Sequence, residues 1–586
     1  MITNNQIAET FEQIADLLEF QGANAFRIRA YRNGARSVRD LADPIAGLMQ
    51  DPEVDLTKLP GIGKDLAAKC RELVEHGTIA MLEELLREIP VSVLSLLRIP
   101  GLGPKKAAVL HRELGIDNLE QLAEACQSGT VRKLKGFGAK TEEQILKGMA
   151  IAEAAGQRIY WARADEIAQR LRSFLSSCEA VRQLELAGSY RRGKETVGDL
   201  DVLVDSSNVN EVMDRFQQFE DVADVIQRGD TKMSVRLRSG LQVDLRVVPT
   251  ASFGAALQYF TGSKEHNVLV RGRAKELGLR VNEYGVYRAG ENGEAVGPSI
   301  AGSTEEDVYR AIKLPWIAPE LREARKELQW AEQGELPTLI TAEDLIGDLH
   351  MHTTATDGAA SIEEMIAAAR QRGLRYVAIT DHSRRVTMAN GLDPKRLRSQ
   401  WQQIDKLRAS IPDDFVVLKG IECDILEDGT MDLPDDVLEE ADWVIASVHY
   451  GQNQSRERIT ERIVSALENP HVDVIAHPTG RLINRREPYQ VDLEAVMRVA
   501  KQHGKILELN ANPARLDLND VHCAAAKAMG IPIVISSDAH SVEGLDVLRY
   551  GVLQARRAGL TRHDVANTRG WPELKKIMGH PHAKQQ

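Results

Sequence analysis

One stretch, residues 188–204 (GSYRRGKETVGDLDVLV), limits most strongly what this chain can fold into. Its second half alternates acidic and apolar residues, which predicts a half-buried β-strand. Asp199 and Asp201 are two positions apart, so both side chains project from the same face of that strand. Adjacent carboxylates repel each other unless a cation lies between them. The stretch therefore predicts a site for a hard divalent ion, Mg²⁺ or Mn²⁺, rather than a solvated strand face.

The residues around this strand indicate phosphate chemistry. Gly188, Ser189 and two arginines precede the strand, and their backbone N–H, hydroxyl and guanidinium groups suit phosphate oxygens. A third carboxylate, Asp244, lies in a second alternating segment, residues 241–248, and residues 234–238 are predicted to be its hairpin partner. Three carboxylates would hold two ions about 3.5–4 Å apart for in-line phosphoryl transfer.

Composition sets broad limits. A chain of 586 residues is too long for one domain, and three to five are expected. The net charge of −12 excludes a uniformly basic nucleic-acid binder but leaves room for local basic surfaces. The five cysteines form no CxxC pair, which excludes a disulfide framework or a thiolate zinc site and predicts a reducing, cytoplasmic location. No signal peptide or membrane-length apolar run is present, so no membrane partner is expected.

A short motif recurs three times in the N-terminal third, as LPGIG (59–63), IPGLG (99–103) and LKGFG (134–138). Its glycines permit a tight turn and leave backbone N–H groups bare at the start of the next helix, where a phosphate can bind. A single copy would fit an ordinary helical hairpin, but three copies followed by lysines resemble helix-hairpin-helix motifs, which grip the DNA backbone without reading sequence. The predicted DNA-binding residues are Gly61, Gly63, Lys64, Gly101, Gly103, Lys105, Gly136 and Gly138.

The order GSYRRG…GDLD, VDLR, YFTGS (259–263) and NEYG (282–285) resembles the X-family DNA polymerases over roughly residues 1–320. This resemblance implies that Asp199, Asp201 and Asp244 are catalytic, metal-binding palm carboxylates, with Asp244 near the primer 3′-OH. It implies dNTP substrates held by Gly188, Ser189, Arg192, Gly198, Tyr259, Phe260, Gly262, Lys264, Asn267 and Arg271. Lys69 aligns with the Schiff-base lysine that some relatives use as a lyase, although a plain phosphate contact is the alternative.

The last 240 or so residues change to short apolar strands alternating with helical segments, the pattern of an α/β barrel. Seven strands are predicted, at residues 346–349, 376–380, 415–421, 443–448, 472–476, 506–509 and 531–535. Histidines and carboxylates follow their C-terminal ends, where parallel barrels place their active sites. Such ligands without cysteine suit Zn²⁺, Mn²⁺ or Fe²⁺, and their number predicts a cluster of two or three ions that hydrolyses phosphate esters.

The motifs DLHMH (348–352), TDH (380–382), GIE (420–422), SVH (447–449), AHP (476–478) and SDAH (537–540) look like the PHP phosphoesterase family, a distorted (β/α)₇ barrel. The resemblance implies up to three Mn²⁺ or Zn²⁺ ions on His350, His352, Asp357, His382, Glu422, His449, His477, Asp538 and His540. Asp348 and Asp381 are expected to orient neighbouring histidines. Arg481 is a candidate phosphate or DNA contact.

The whole chain is predicted to be multidomain, with α+β and α/β parts. Helical DNA-binding domains at 1–88 and 89–150 precede a mixed-sheet nucleotidyltransferase palm at 151–255 and a small nucleotide-selecting thumb at 256–320, and a linker at 321–343 leads to a PHP domain at 344–575. The favoured function is a monomeric DNA polymerase that fills short gaps in repair, on gapped or primer-template DNA with a 5′-phosphate, with a 3′-5′ exonuclease in the PHP domain. The alternatives are a small-molecule phosphatase resembling histidinol phosphatases and a non-catalytic DNA-end scaffold, against which the intact carboxylates argue.

Overall fold

The N-terminal part of the chain is helical because its apolar residues recur every three or four positions. The computed structural model describes residues 4–39, 45–49, 54–58, 62–89, 104–139, 141–143, 145–146, 158–483 and 488–578, and the single residues 93, 96, 99, 102, 149 and 486. Ile7, Phe11 and Ile14 are fully buried and pack with Tyr31 into one helical core. The helices here are α1 (Asn4–Phe20), α2 (Ala25–Arg39), α3 (Ile45–Leu48), α4 (Lys64–His76), α5 (Ala80–Glu88), α6 (Pro104–Leu114) and α7 (Leu119–Gln127).

The glycine motifs lie at turns, as far as they are described. Helix α4 begins directly after Gly63, whose extended backbone caps the helix without a side-chain hydrogen bond. Gly136 adopts a left-handed φ of +90°, and added β-carbons at Gly63, Gly136 or Gly138 would meet no described atom within 4 Å. Among the described residues, none covers the backbone of Gly63, Gly136 or Gly138, which leaves space for a ligand beside the first and third motifs. Gly61, Gly101 and Gly103 and the side chain of Lys105 lie outside the described residues.

A five-stranded mixed sheet carries the predicted carboxylates. Its order is β2 (Gln183–Leu186), β4 (Asp199–Asp205), β7 (Gln242–Val248), β6 (Lys232–Leu237) and β5 (Val222–Arg228). Strands β4 and β7 are parallel, and the other neighbours are antiparallel. The predicted hairpin through residues 239–240 is confirmed by the β6–β7 pairing. Helices α8 (Trp161–Ser176) and α10 (Val209–Gln217) share the core of this sheet, and a short pair, β1 (Ile159–Tyr160) and β3 (Thr196–Val197), lies beside it.

A small second unit follows the sheet, as the resemblance implied for a thumb. Strands β8 (Leu279–Asn282), β9 (Gly285–Ala289) and β10 (Ala295–Ala301) form its antiparallel sheet. Helices α9 (Gly188–Arg191), α11 (Phe253–Thr261), α12 (Lys264–Glu276), α13 (Glu305–Ala311) and α14 (Glu327–Gln333) complete the region between residues 188 and 333.

The segment expected to be a linker, residues 321–343, is packed rather than solvated. Arg322 and Ile340 are fully buried, and Glu327, in α14, is 1% exposed. Ile340 donates its backbone N–H to the carbonyl of Leu560 at 3.0 Å. The connection is therefore fixed to the C-terminal domain through main-chain contacts.

The C-terminal domain contains seven parallel strands in chain order, as predicted. They are β11 (Gly347–Asp348), β12 (Tyr376–Ile379), β13 (Val416–Asp424), β14 (Trp443–Ser447), β15 (Val474–Ile475), β16 (Ile506–Asn510) and β17 (Ile533–Ser536). A parallel bridge between Met351 and Ala539, just beyond the C-terminal ends of β11 and β17, nearly closes the barrel. Its helices are α15 (Ile362–Gln371), α16 (Pro394–Arg408), α17 (Asp435–Leu438), α18 (Arg456–Glu468), α19 (Leu493–Gln502), α20 (Asp520–Met529), α21 (Leu548–Arg557) and α22 (Trp571–Ile577). The mixed α+β and α/β fold is thus confirmed, and none of the described helices has the length and apolar character needed to cross a membrane.

Candidate active sites

The three acidic residues of the first site meet on neighbouring strands. Asp201 in β4 is directly opposite Asp244 in β7, and Asp199 lies two residues earlier on the same strand as Asp201. Burial, together with the charges of Asp199 and Asp244, raises the pKa of Asp201 to about 7. Burial and the charge of Asp244 also raise the pKa of Asp199. Carboxylates that destabilise one another in this way have the chemistry of a divalent-cation site.

Asp244 has a cationic neighbour that sequence reasoning missed. Lys232 Nζ lies 2.7 Å from Asp244 Oδ2, and Gln242 Nε2 donates to Asp244 Oδ1 at 3.0 Å. Burial alone would raise the pKa of Asp244, but hydrogen bonds from Lys232, Ser234 and Gln242 outweigh it and lower the pKa. The hairpin partner was predicted at residues 234–238, and the observed strand β6 begins two residues earlier, at Lys232.

The turn before β4 brings its backbone against the carboxylates. Gly188 has a φ of +62°, and a β-carbon there would overlap Asp201 Oδ2. Arg192 donates from Nη1 to the carbonyl of Thr261 at 2.6 Å and from Nε to Glu323 at 3.1 Å. Arg191, which the sequence also suggested as a phosphate ligand, is instead paired through both terminal nitrogens with Glu305 at 2.8 Å.

A cavity of about 1250 Å³ opens above this turn. It brings together nearly all of the predicted nucleotide-binding residues: Gly188, Ser189, Arg192, Tyr259, Phe260, Gly262, Lys264, Asn267 and Arg271. Gly198 lies at its edge, where a β-carbon would be 3.0 Å from Nη1 of the cavity-lining Arg158. The Asn267 amide is already engaged, because it donates to the carbonyl of Tyr259 at 2.7 Å and accepts from Gln258 at 2.8 Å. These two hydrogen bonds fix α12 against α11.

Lys69 lies far along the chain from these residues, in α4. Its Nζ is 2.9 Å from Asp65 Oδ1, and Tyr31 lies nearby. Burial lowers the pKa of Lys69, but Asp65 and Tyr31 outweigh it and the net shift is upward. Schiff-base formation requires a neutral amine, so this environment favours the alternative of a phosphate contact.

The second site gathers all nine predicted ligands at one end of the barrel. Their ligand atoms form three overlapping groups, each with all members within 4.8 Å: His352, Asp357, His382 and His540; His350, His352 and Asp538; and His382, Glu422 and His449. His477 joins the third group, with its Nε2 3.1 Å from Glu422 Oε1. Glu422 lies inside β13 rather than beyond its end, because β13 runs on to Asp424 beside β14.

The ring partners of the histidines differ from those expected. Glu508 Oε1 lies 2.7 Å from His350 Nδ1, and Asp424 Oδ1 lies 3.1 Å from His449 Nδ1. Asp348 instead accepts from Ser537 and, weakly, from the backbone N–H of His350. Asp381 binds Thr353, Thr356 and Gln400. Spacing could have pointed to Asp424, which lies two residues after the predicted ligand Glu422 on the same strand and so shares its face. No predicted ligand of β16 pointed to Glu508 in the same way.

The donor atoms fit a metal cluster. Buried atoms of the cluster without a hydrogen bond include His350 Nε2, His352 Nδ1 and Glu422 Oε2. His382 Nδ1 and Glu422 Oε2 are 2.7 Å apart but are not aligned as a hydrogen bond. Two predicted ligands, His477 and Asp538, have positive φ angles of +29° and +54°, which are rare for residues other than glycine. Unpaired buried nitrogens and a strained backbone are typical of residues that are held in place for ligation.

Arg481, the candidate phosphate or DNA contact, is engaged in contacts between two parts of the chain. Its guanidinium pairs with Glu195 of the palm region at 2.7 Å and donates to the carbonyl of Arg515 at 2.9 Å. Tyr160 adds a hydrogen bond to the carbonyl of Ile483 at 2.9 Å. These contacts fix the barrel to the polymerase-like part of the chain.

Family models match the chain in the order in which its parts fold. They are a helix-hairpin-helix domain at residues 2–79, a SAM-like helix-hairpin-helix tandem at 93–149, the DNA polymerase beta palm at 158–247, the DNA polymerase beta thumb at 256–323 and the PHP domain at 348–512. The hairpin and thumb matches imply binding to DNA, and the palm and PHP matches imply the use of divalent metal ions.

Three kinds of relative cover different parts of the chain. The DNA polymerase/3′-5′ exonuclease PolX of Bacillus subtilis (strain 168) is 41% identical over 580 residues, 98% of either chain. DNA polymerase lambda of Rattus norvegicus is 26% identical over 343 residues, 55% of this chain and 56% of the relative. A probable phosphatase of Thermoanaerobacter is 31% identical over 239 residues, 38% of this chain and 91% of the relative. The chain therefore belongs to the PolX family, X-family DNA polymerases that carry a C-terminal PHP domain.

Proposed function

We propose that this chain is a DNA-directed DNA polymerase whose PHP domain is a metal-dependent 3′-5′ exonuclease. The observation that carries the proposal is the convergence of Asp199, Asp201 and Asp244 beside a cavity of about 1250 Å³, in a chain that has a second, complete ligand cluster. The division into domains is proposed at residues 88, 150, 255, 320 and 343. All nine cluster residues are proposed as metal ligands.

In the polymerase reaction, the primer 3′-oxygen forms a bond to the α-phosphorus of a dNTP while the bond to the β-phosphate breaks and pyrophosphate leaves. Divalent ions, Mg²⁺ or Mn²⁺, supply charge neutralisation and activate the attacking hydroxyl when bound. Ser189 and the backbone of the Gly188 turn would bind the phosphates, with Arg192 as their cation. Tyr259, Phe260 and Gly262 form the wall against which the sugar would lie, and Asp244 lies on the primer side.

In the PHP domain, the cluster would hold two or three Mn²⁺ or Zn²⁺ ions, which supply a hydroxide near neutral pH and clamp a phosphodiester. The chain's own contribution is orientation. Glu508 and Asp424 fix the His350 and His449 rings by hydrogen bonds at 2.7 and 3.1 Å. Water would attack the phosphorus of the terminal phosphodiester and displace the 3′-oxygen of the penultimate nucleotide, so the shortened strand ends in a 3′-hydroxyl and the terminal nucleotide leaves as a 5′-monophosphate.

The second candidate is a small-molecule phosphatase, favoured by the probable phosphatase that aligns with the barrel over 91% of its length. It leaves the palm carboxylates and the open hairpin turns without a role.

We further propose that the chain acts as a monomer on gapped DNA with a 5′-phosphate during repair. The five unpaired cysteines suit a reducing, cytoplasmic compartment. The role of Lys69 stays a prediction: a phosphate contact is favoured, and a Schiff-base lysine of a lyase activity is the alternative.

Two single substitutions test the two-site proposal. Asp201→Asn should lower primer extension on gapped DNA by more than about a hundredfold and leave Mn²⁺-dependent 3′ degradation intact, whereas Glu422→Gln should do the reverse, because loss of even an outer ligand partner costs 10- to 100-fold. Loss of both activities in either variant would rule out independent sites. Fast hydrolysis of histidinol phosphate with intact DNA ends would favour the phosphatase.

A further inference from the structure

The PHP domain packs directly against the predicted phosphate-binding turn of the polymerase centre. Helix α21 contacts Gly193, the residue after Arg192, through Leu553. Gly193 has a φ of +65°, and a β-carbon there would lie 2.5 Å from Leu553 Cγ. The helix therefore lies so close to the turn that only glycine fits at position 193.

Arg557, the last residue of this helix, holds Arg192 in two ways. Its Nη1 donates to the backbone carbonyl of Arg192 at 2.7 Å and to Glu323 Oε1 at 2.9 Å. The same Glu323 oxygen accepts from Arg192 Nε at 3.1 Å. The Arg557 side chain is 2% exposed, and its other terminal nitrogen is fixed by Asp520 Oδ2 at 2.8 Å. Main chain and side chain of Arg192 are thus both positioned from the PHP domain.

The charges of this network do not cancel. Its two carboxylates, Glu323 and Asp520, are surrounded by four cations, Arg192, Lys194, Arg325 and Arg557, with ion-pair distances from 2.8 to 3.4 Å. Burial would raise the pKa of Glu323, but Arg557, Lys194 and Arg192 outweigh it and lower the pKa to about 2, so Glu323 stays charged. Arg192, Lys194 and Arg557 line the cavity. With Asp520, which also lines the cavity, the network presents three cations and one carboxylate to the space that a polyanion would enter, across from the carboxylates of Asp199 and Asp201.

We propose that Arg557 is a positioning residue for nucleotide incorporation: through Glu323, the PHP domain sets the orientation in which Arg192 meets the triphosphate of the incoming nucleotide. The inference rests on the proposed polymerase function of the cavity. A guanidinium held on a rigid support loses less freedom when it binds phosphate, so the support acts on nucleotide affinity. The PHP domain is then part of the polymerase's nucleotide site as well as a separate enzyme.

The test measures single-nucleotide insertion on gapped DNA by the full chain. Arg557→Met should raise the KM for the dNTP about tenfold, the scale of one charge-assisted contact, and change kcat much less. Arg557→Lys should recover part of the loss, since lysine keeps the charge but cannot fork between Glu323 and Asp520. PHP metal content and 3′ degradation should stay at wild-type levels.

Arg556→Met is the matched control. Arg556 is the neighbouring residue of the same helix and also bridges to the polymerase side, at 2.7 Å from Glu320, but it does not contact Arg192. It should lose a comparable domain contact and keep the wild-type KM. An equal rise in KM for Arg556→Met would reduce Arg557 to a structural bridge and overturn the proposal.

A double-mutant cycle separates action through Arg192 from direct contact. In an Arg192→Met background, Arg557→Met should add little to the KM, and an undiminished effect would overturn the proposal. If Arg557→Met does not fold, Glu323→Gln carries the same test: a raised KM supports the relay, and an unchanged KM contradicts it. A wild-type chain that extends no primer would refute the proposed function itself, whereas normal extension with an unaffected KM in Arg557→Met refutes this inference alone.

Discussion

At the scale of single residues, Gly188 shows how closely the phosphate turn approaches the catalytic strand. Its φ of +62° is a conformation that L-residues avoid, and its missing side chain leaves room for the Asp201 carboxylate. An alanine would have to displace the side chain of Asp201, which we propose as a metal ligand.

We therefore expect Gly188→Ala to lower primer extension by at least about tenfold, because it moves Asp201 away from Asp244. Gly278→Ala is the control: Gly278 has a similar φ of +69°, but no described atom lies within 4 Å of its added β-carbon. Both variants should lose about 1 kcal/mol of unfolding free energy from backbone strain. Equal activity in both would show that the contact with Asp201 is unimportant.

Glu508 is a second informative residue, because it acts on the PHP cluster from outside it. It accepts the His350 ring at 2.7 Å and the backbone N–H of His477 at 2.7 Å. Outer partners of this kind set ring orientation and ligand basicity. The sequence analysis did not name Glu508, because its contact with His350 joins residues of β16 and of the segment after β11 that are distant in the chain.

Glu508→Gln should weaken Mn²⁺ binding by about 10- to 100-fold while polymerase activity is kept. The measurement is the Mn²⁺ concentration for half-maximal 3′ degradation, together with metal bound per chain. Glu494→Gln, on the surface helix α19, is the matched control. An unchanged Mn²⁺ dependence in Glu508→Gln would mean that the ring is held by other contacts.

At the scale of elements, helix α13 begins with a carboxylate that joins three parts of the polymerase region. Glu305 is 4% exposed and pairs with Arg191 of the phosphate turn and Arg322 of the connecting segment. Burial would raise the pKa of Glu305, but Arg322 and Arg191 outweigh it and hold the pKa well below its usual range. The element is therefore stabilised by a charge that must stay ionised.

Glu305→Gln should lower the free energy of unfolding at neutral pH by about 3 kcal/mol, because it leaves two arginines without their partner. Since the folded-state pKa is lowered, this stability is present above the ordinary value of 4.5 and is lost as pH falls below it. The difference from wild type should accordingly shrink on acidification from pH 6 to about pH 3. Thermal unfolding across that pH range measures the difference in stability. Glu306→Gln, a change at the exposed neighbouring residue, is the control. A difference in stability that widens at low pH would contradict the assignment.

Most elements were predictable because their patterns are local. Alternation gave β4 and β7, and apolar runs gave all seven barrel strands. The parallel register that sets Asp201 opposite Asp244 was not predictable, since it depends on how distant strands pair. The same holds for the packed segment at 321–343, where charged residues such as Arg322 are buried only because partners from elsewhere reach them. The ion pairs of Arg191 with Glu305 and of Arg481 with Glu195 were not predictable for the same reason, because their partners lie far away in the chain.

At the scale of the whole molecule, the two catalytic centres share one framework. The barrel contacts the palm region through Arg481 and Glu195, through Tyr160 and Ile483, and through Arg557 and Arg192.

The net charge of the whole chain is −12, although its proposed substrate is a polyanion. DNA must therefore be held by local positive surfaces, of which the hairpin motifs are the strongest candidates, and their contribution should be measurable through salt.

Lys64 tests this at the first hairpin. It is an exposed residue at the start of α4, directly after the open backbone of Gly63, where a DNA phosphate would meet both the bare N–H groups and the ammonium group. Lys64→Ala should weaken binding to gapped DNA and reduce the slope of log affinity against log salt by about 0.9, the value for one lost phosphate contact, measured by fluorescence anisotropy between about 50 and 200 mM salt. Lys501→Ala, in the last turn of α19 on the barrel surface, should leave the slope unchanged. If the two variants behave alike, the first hairpin does not grip the DNA backbone, and the affinity must come from the other two hairpins, the cavity or the thumb.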